Sequence, residues 1–286
     1  METAIHSREI RKDNPVLRKI GRVVIWILLI ALAVFTLIPF VWMISSSLKL
    51  DREVFAFPMR WVPETFHWEN YSLIWQKVPL LTYFKNTAFI AIVVTILQTL
   101  TSSFAAYAFA KLNFRGRDAL FLCYIGTIAV PWQAYMLPQF IMMRSMGLYD
   151  TLWAMVVLQA FSAFGVFLMR QFYRGIPTEL CEAARIDGLS EIGIFFRMYF
   201  PMMKSTYAAA AVIVFMNAWN SYMWPRTVMK GNAVKTMPML VANMSNGYAV
   251  DYGMLMLGVL FCSLPTIIVF FVLQKQFAEG ITGSVK

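Results

Sequence analysis

The sequence predicts an all-α, polytopic membrane protein with six transmembrane helices, and three observations carry that prediction. Hydrophobic residues make up 59% of the 286-residue chain and charged residues only 14%, against roughly 45–50% and about 25% in soluble domains. So few charges cannot cover a soluble particle of this size. Six stretches hold no Asp, Glu, Lys or Arg at all: 23–48, 86–110, 119–143, 151–169, 205–225 and 252–274. A helix needs about 20 apolar residues to cross roughly 30 Å of hydrocarbon, and every stretch has about that length. Finally, the basic residues fall unevenly between the stretches, as they do when a membrane protein has a fixed orientation. An ordinary cytosolic enzyme, a disordered chain and a disulfide-stapled module are excluded. So is a barrel, because 23–43 is apolar almost throughout rather than alternating. The net charge of +10 reads as positive-inside bias, not as a nucleic-acid footprint.

In chain order, residues 1–22 form a cytoplasmic N-terminal tail carrying Arg8, Arg11, Lys12, Arg18, Lys19 and Arg22. Residues 23–48 are the first transmembrane helix, since the apolar run is too long for a signal-peptide core and five spans follow. Residues 49–84 are an external interfacial segment. Pro58, Pro63 and Pro79 break regular spans there, and Trp61, Trp68 and Trp75 prefer the membrane–water boundary, so short interfacial helices are expected. Residues 85–275 hold the other five spans. Ser102, Ala106 and Ala110 make a small-residue stripe on span two that permits close helix approach. Pro131 and Pro138 in span three and Pro265 in span six are expected to kink them. Residues 171–204 are a cytoplasmic loop and 276–286 a cytoplasmic tail. Sixteen of the 25 basic residues lie on the side shared by both termini, which makes that side cytoplasmic.

Familiar catalytic signals are missing. There is no phosphate-binding glycine loop, nucleophile elbow or paired-histidine helix. His6 and His67 lack ligand-like spacing, and Cys123, Cys181 and Cys262 imply no disulfide framework. No metal site and no catalytic residue is therefore expected. No charged residue sits in the middle of a span, where ion-coupled pumps need one. If the chain drives transport, the energy comes from a partner.

The loop between spans four and five is the most informative stretch. Glu179–Asp187 suits a helix with acids in its first turn; Gly188 ends it in a left-handed turn; Ser190 caps a second helix; Pro201 halts that helix before span five. Glu182, Arg185 and Asp187 offer charges for registering a partner. From spacing alone, the first helix either docks a partner or lies against its own bundle.

Glu182-Ala183-Ala184, three residues, Gly188, nine residues and then Met198-Tyr199-Phe200-Pro201 resembles the EAA loop of ABC importer permeases, with the pattern E-A-A-x3-G-x9-I-x-L-P. Met198 and Phe200 stand where Ile and Leu are usual. Phe164–Phe172 leading into Ile176-Pro177, the pair Trp219-Asn220 and the tail Glu279–Lys286 are similar to the smaller permease of carbohydrate importers, the maltose type. The resemblance runs from about Pro15 to Lys286. It implies the type I ABC importer permease fold, with both termini in the cytoplasm of a bacterial or archaeal cell. It implies a larger homologous permease as pore partner and two ATPase subunits that bind ATP and Mg and receive the loop, so the chain itself carries no cofactor. An extracytoplasmic binding protein delivers the sugar. Glu182, Ala183, Ala184, Arg185, Asp187, Gly188 and Pro201 are then the coupling residues, and Gly280, Thr282 and Gly283 the tail's contact with the ATPases.

Sugar needs hydrogen-bonding groups and flat aromatic faces. Gln98, Thr127, Gln133, Gln159, Asn217, Trp219 and Asn220 are the candidates near membrane depth, though an interhelical hydrogen bond or an aromatic belt is the commoner role for each. The alternatives are a permease for another solute such as glycerol phosphate, a secondary transporter or channel, and a membrane-embedded enzyme. The second needs an internal repeat or a charged midplane site, and the third needs convergent acids, His or Cys.

Overall fold

The structure is a computed structural model that describes residues 15–246 and 250–282. Helix α1, Pro15–Ser47, starts within the segment expected to be tail, because proline is well placed in a first helical turn where its missing N–H has no partner to lose. It continues through Pro39. Side chains from Ile20 to Val41 are largely exposed, a surface that lipid solvates. Its outer end is tied down instead. Lys49, 1% exposed, donates from Nζ to the Arg60 carbonyl at 2.6 Å and lies 4.2 Å over the Trp42 ring. Asn70 donates to the carbonyls of Ser47 and Lys49 at 3.1 and 3.3 Å.

The segment expected to be external carries two short helices, α2 (Asp51–Val54) and α3 (Glu69–Lys77). Helix α4, Leu80–Lys111, begins directly after Pro79. Span two therefore opens five residues before Lys85, whose long stem carries its charge back toward water.

The next three spans are not single rods. Helix α5 (Arg117–Gly126), a 3₁₀ turn at Thr127–Ala129 and helix α6 (Trp132–Ser145) form a pair bent by 100°. The bend sits at Pro131, as its fixed φ and missing donor dictate. Pro138 lies inside α6 without ending it. Helices α7 (Trp153–Gln159) and α8 (Ala163–Arg174) bend by 42°, and the Ser162 hydroxyl caps α8 by accepting from Gly165 N at 3.1 Å.

Helices α9 (Glu179–Ile186) and α10 (Glu191–Ile194) follow, then a π turn over Phe195–Tyr199, then α11 (Phe200–Met202). The run ends at Met202, one residue past Pro201, which was expected to halt it. The wide π turn immediately before Pro201 removes the ordinary i−4 hydrogen bond that proline cannot make. The chain then bends by 82° at Met203 into α12 (Lys204–Trp219). Short α13 (Met223–Val228) and α14 (Met237–Ser245) lie beyond, and α15 runs Tyr252–Thr282. It passes through Pro265 and through the first residues of the expected tail 276–286. Gly280 and Thr282 are thus helical, and Gly283 lies outside the described residues. Among the described residues, three helices are long and apolar enough to span a membrane, or six if each bent pair is one span.

Helix α4 is the hub, packed on α8 and α12; α12 packs on α15, and α15 on α1. The small-residue stripe does what its side chains allow. Ser102 and Ala106 are buried, and a Cβ added at Gly165 would lie 2.5 Å from Ser102 Oγ, so α8 approaches α4 as closely as backbone permits. One turn away, the hydroxyls of Ser103, Tyr173 and Tyr207 bond to one another at 2.5–2.7 Å. They pin α4, α8 and α12 and satisfy three buried polar groups at once.

Candidate functional site

Two places carry chemistry: the elbow α9–α11 and a cavity between the bent spans. At the elbow, Gly188 has φ +83°, a left-handed turn open to glycine without penalty. Ser190 Oγ accepts from Gly193 N at 3.2 Å, so the short helix, tight bend and second helix are present. The helical period then sorts α9 into two faces. Cys181 and Ala184 are 1% and 3% exposed and turn inward, while Glu182, Ala183, Arg185, Ile186 and Asp187 are exposed. The paired alanines therefore do not share a face. Ala184 packs on the bundle, and the most exposed apolar group on the outward face is Ile186, 86% exposed.

The elbow is fastened by residues that spacing did not reveal. Glu191 accepts from Arg185 Nε at 2.6 Å on one carboxylate oxygen and from the Tyr107 hydroxyl at 2.8 Å on the other. This joins α9 and α10 to the end of α4. Lys111, 7% exposed, donates to the Ile176 carbonyl, and the Cys181 thiol meets the Tyr199 hydroxyl. Arg185, expected to meet a partner, is thus engaged with its own chain.

The Arg185 guanidinium, helped by the Tyr107 hydroxyl, holds the Glu191 carboxyl below the usual carboxylate range. A depressed carboxyl pKa contributes stability that is complete above the unfolded value, about 4.3, and is lost as pH falls through the folded one. Glu191→Gln should therefore speed amide hydrogen exchange across 179–194 at neutral pH. The difference from wild type should shrink in acid. Half-exposed as the ion pair is, the loss should be no more than about 1 kcal/mol.

The second place is a cavity of about 590 Å³, within the size range of small-molecule sites. Gln98 of α4, Gln133 of α6, Gln159 of α7 and Asn220 at the end of α12 all line it. Its wall comes from α6, from the break between α7 and α8, and from the segment that follows α12. Sequence reasoning missed Gln139, which accepts from Trp132 Nε1 at 3.0 Å, and the rings of Tyr135 and Tyr222. No charged residue is among its lining residues. Thr127 lies outside, bonded to the Tyr124 carbonyl at 2.7 Å, and exposed Asn217 lies outside as well. Trp219 is 1% exposed. Its Nε1 donates to the Cys262 carbonyl at 2.8 Å, and its ring stacks on Phe215 and meets Phe84 edge-on. It is a packing residue between α12 and α15, not part of the cavity wall.

The chain is similar to known proteins over nearly all its length. It is 37% identical to the lactose transport system permease protein LacG of Rhizobium radiobacter over 94% of this chain and 98% of that one. It is 33% identical to the arabinooligosaccharides transport system permease protein AraQ of Halalkalibacterium halodurans, over 96% and 99%. A bacterial ABC transporter involved in the import of the acidic polysaccharide alginate contains a chain of the same fold, with a TM-score of 0.81 at 23% identity over 96% of this chain and 100% of that one. The model of the binding-protein-dependent transport system inner membrane component matches residues 98–283. The chain belongs to that family, the non-catalytic, membrane-spanning permease subunits of ABC importers.

Proposed function

We propose that this chain forms half of the transmembrane pore of an ATP-driven importer for a neutral oligosaccharide. The cavity carries this reading: five amide side chains and several aromatic rings converge there without a charge. Amides donate and accept at once, as sugar hydroxyls require, and rings cover the apolar faces of a pyranose. The names of the relatives LacG and AraQ point to the same class. Glycerol phosphate would call for Lys or Arg at the wall, and none lines it.

The partners are a larger homologous permease, two ATPase subunits holding ATP and Mg, and an extracytoplasmic binding protein, in the cytoplasmic membrane of a bacterial or archaeal cell. The outward face of α9, with Glu182, Ala183, Ile186 and Asp187, seats in the ATPase. Gly188 fixes the elbow's bend, Pro201 closes its inner arm, and the segment of Gly280, Thr282 and Gly283 meets the ATPases.

The pair Gln159→Leu and Asn220→Leu, made together, should cut sugar uptake roughly tenfold, at about 0.5–1.5 kcal/mol for each hydrogen bond lost. Thr127→Val should leave uptake unchanged. Normal uptake by the double variant would remove the cavity from the sugar path.

A further inference from the structure

A second cavity, of about 330 Å³, lies at the cytoplasmic ends of α4, α5 and α8, and Arg117, Arg170 and Arg174 all line it. Asp118 supplies its single carboxylate. Arg170 is fully engaged: Nε donates to the Phe109 carbonyl at 3.2 Å, a terminal nitrogen reaches Asp118 at 3.2 Å, and the guanidinium lies 3.8 Å over the Phe121 ring. Arg117 shares the same carboxylate at 3.3 Å. Arg174 makes no hydrogen bond or ion pair among the described residues. Three guanidiniums against one carboxylate leave a wall with two positive charges in excess.

The rest of the wall is apolar. Leu122 lines the cavity while 63% exposed, and Leu120, on the other side of α5, is 56% exposed. Exposed leucines on a spanning helix face hydrocarbon, so the cavity sits where the cytoplasmic headgroup layer meets the acyl chains. We propose that it binds the phosphate group of an anionic phospholipid from the cytoplasmic leaflet. Guanidiniums bind phosphate oxygens in a bidentate fork, and basic pockets between spans on this side of a membrane suit lipid headgroups. A soluble phosphate would use only the arginines. A lipid uses both halves, laying its acyl chain along Phe121 and Leu122.

The test is native mass spectrometry of the complete importer, purified in mild detergent after exchange into bilayers of phosphatidylcholine with or without phosphatidylglycerol. Wild type should retain phosphatidylglycerol in preference to phosphatidylcholine, and excess inorganic phosphate should not displace it. Each neutralised arginine should weaken retention about fivefold, so Arg174→Gln loses that much and the pair Arg117→Gln with Arg174→Gln roughly 30-fold. Arg174→Lys, which keeps the charge but loses the bidentate fork, should fall between wild type and Arg174→Gln. Equal retention by the double variant, or equal retention of the two lipids, would overturn the proposal. So would displacement by inorganic phosphate, which would make this a free-anion site. Loss of a partner subunit rather than lipid from the double variant would make it a protein interface, also against the proposal.

Discussion

Ile186→Asp should abolish ATP-driven transport while leaving the chain folded. Ile186 is 86% exposed at the end of α9, and changes at such positions shift folding stability by no more than about 0.5 kcal/mol. Seated in an ATPase cleft, the same side chain would contribute roughly 1.5–3 kcal/mol of apolar burial. An aspartate there loses that contribution and adds a charge with no partner. The combined cost of about 3 kcal/mol or more corresponds to over 100-fold weaker docking. Pull-down of the ATPase with the membrane subunits should fail, and thermal unfolding of the permease pair should not change. Ala184→Trp should behave differently. Ala184 is 3% exposed, so the larger ring displaces the elbow from its own bundle and lowers stability as well as coupling. Undiminished ATPase binding in Ile186→Asp would remove this face of α9 from the interface.

Trp219→Ala should cost about 3–5 kcal/mol, the usual range for deleting a buried large aromatic side chain. The indole fills the joint between α12 and α15, bonded to Cys262 and stacked on Phe215. Folded protein recovered from membranes should fall sharply. Trp219→Phe keeps the ring contact and loses the N–H bond, so it should cost about 1 kcal/mol and leave the sugar KM unchanged in the protein that folds. Normal stability with a raised KM in that variant would return Trp219 to the sugar path.

The architecture was legible where one physical variable decides it. Apolar length alone marks α1, α4 and α15, and Pro131 marks the break in span three. The break before α8 has no proline. Its signal is Ser162 as a helix cap, a residue that also reads as an ordinary polar side chain in a span. The stop beside Pro201 was legible, whereas the π turn before it leaves no local mark. Candidate lining residues were legible as amides in apolar stretches, and four of the seven meet in one cavity. Trp219 defeats such reading, because a flat polar-edged ring suits a sugar and a helix joint equally well and only burial separates them. Glu191 was hidden for another reason: its partner Tyr107 lies 84 residues away, a distance that periodicity does not cross.

Uptake by sealed proteoliposomes tests the central claim most directly. The chain and its partner permease would be reconstituted with binding protein and sugar, with or without the ATPase subunits and internal ATP. Accumulation above the external concentration should occur only when the ATPases and ATP are both present. Accumulation against the gradient by the permeases alone would mean that this polypeptide carries its own energy coupling, contrary to everything its uncharged spans and exposed elbow indicate.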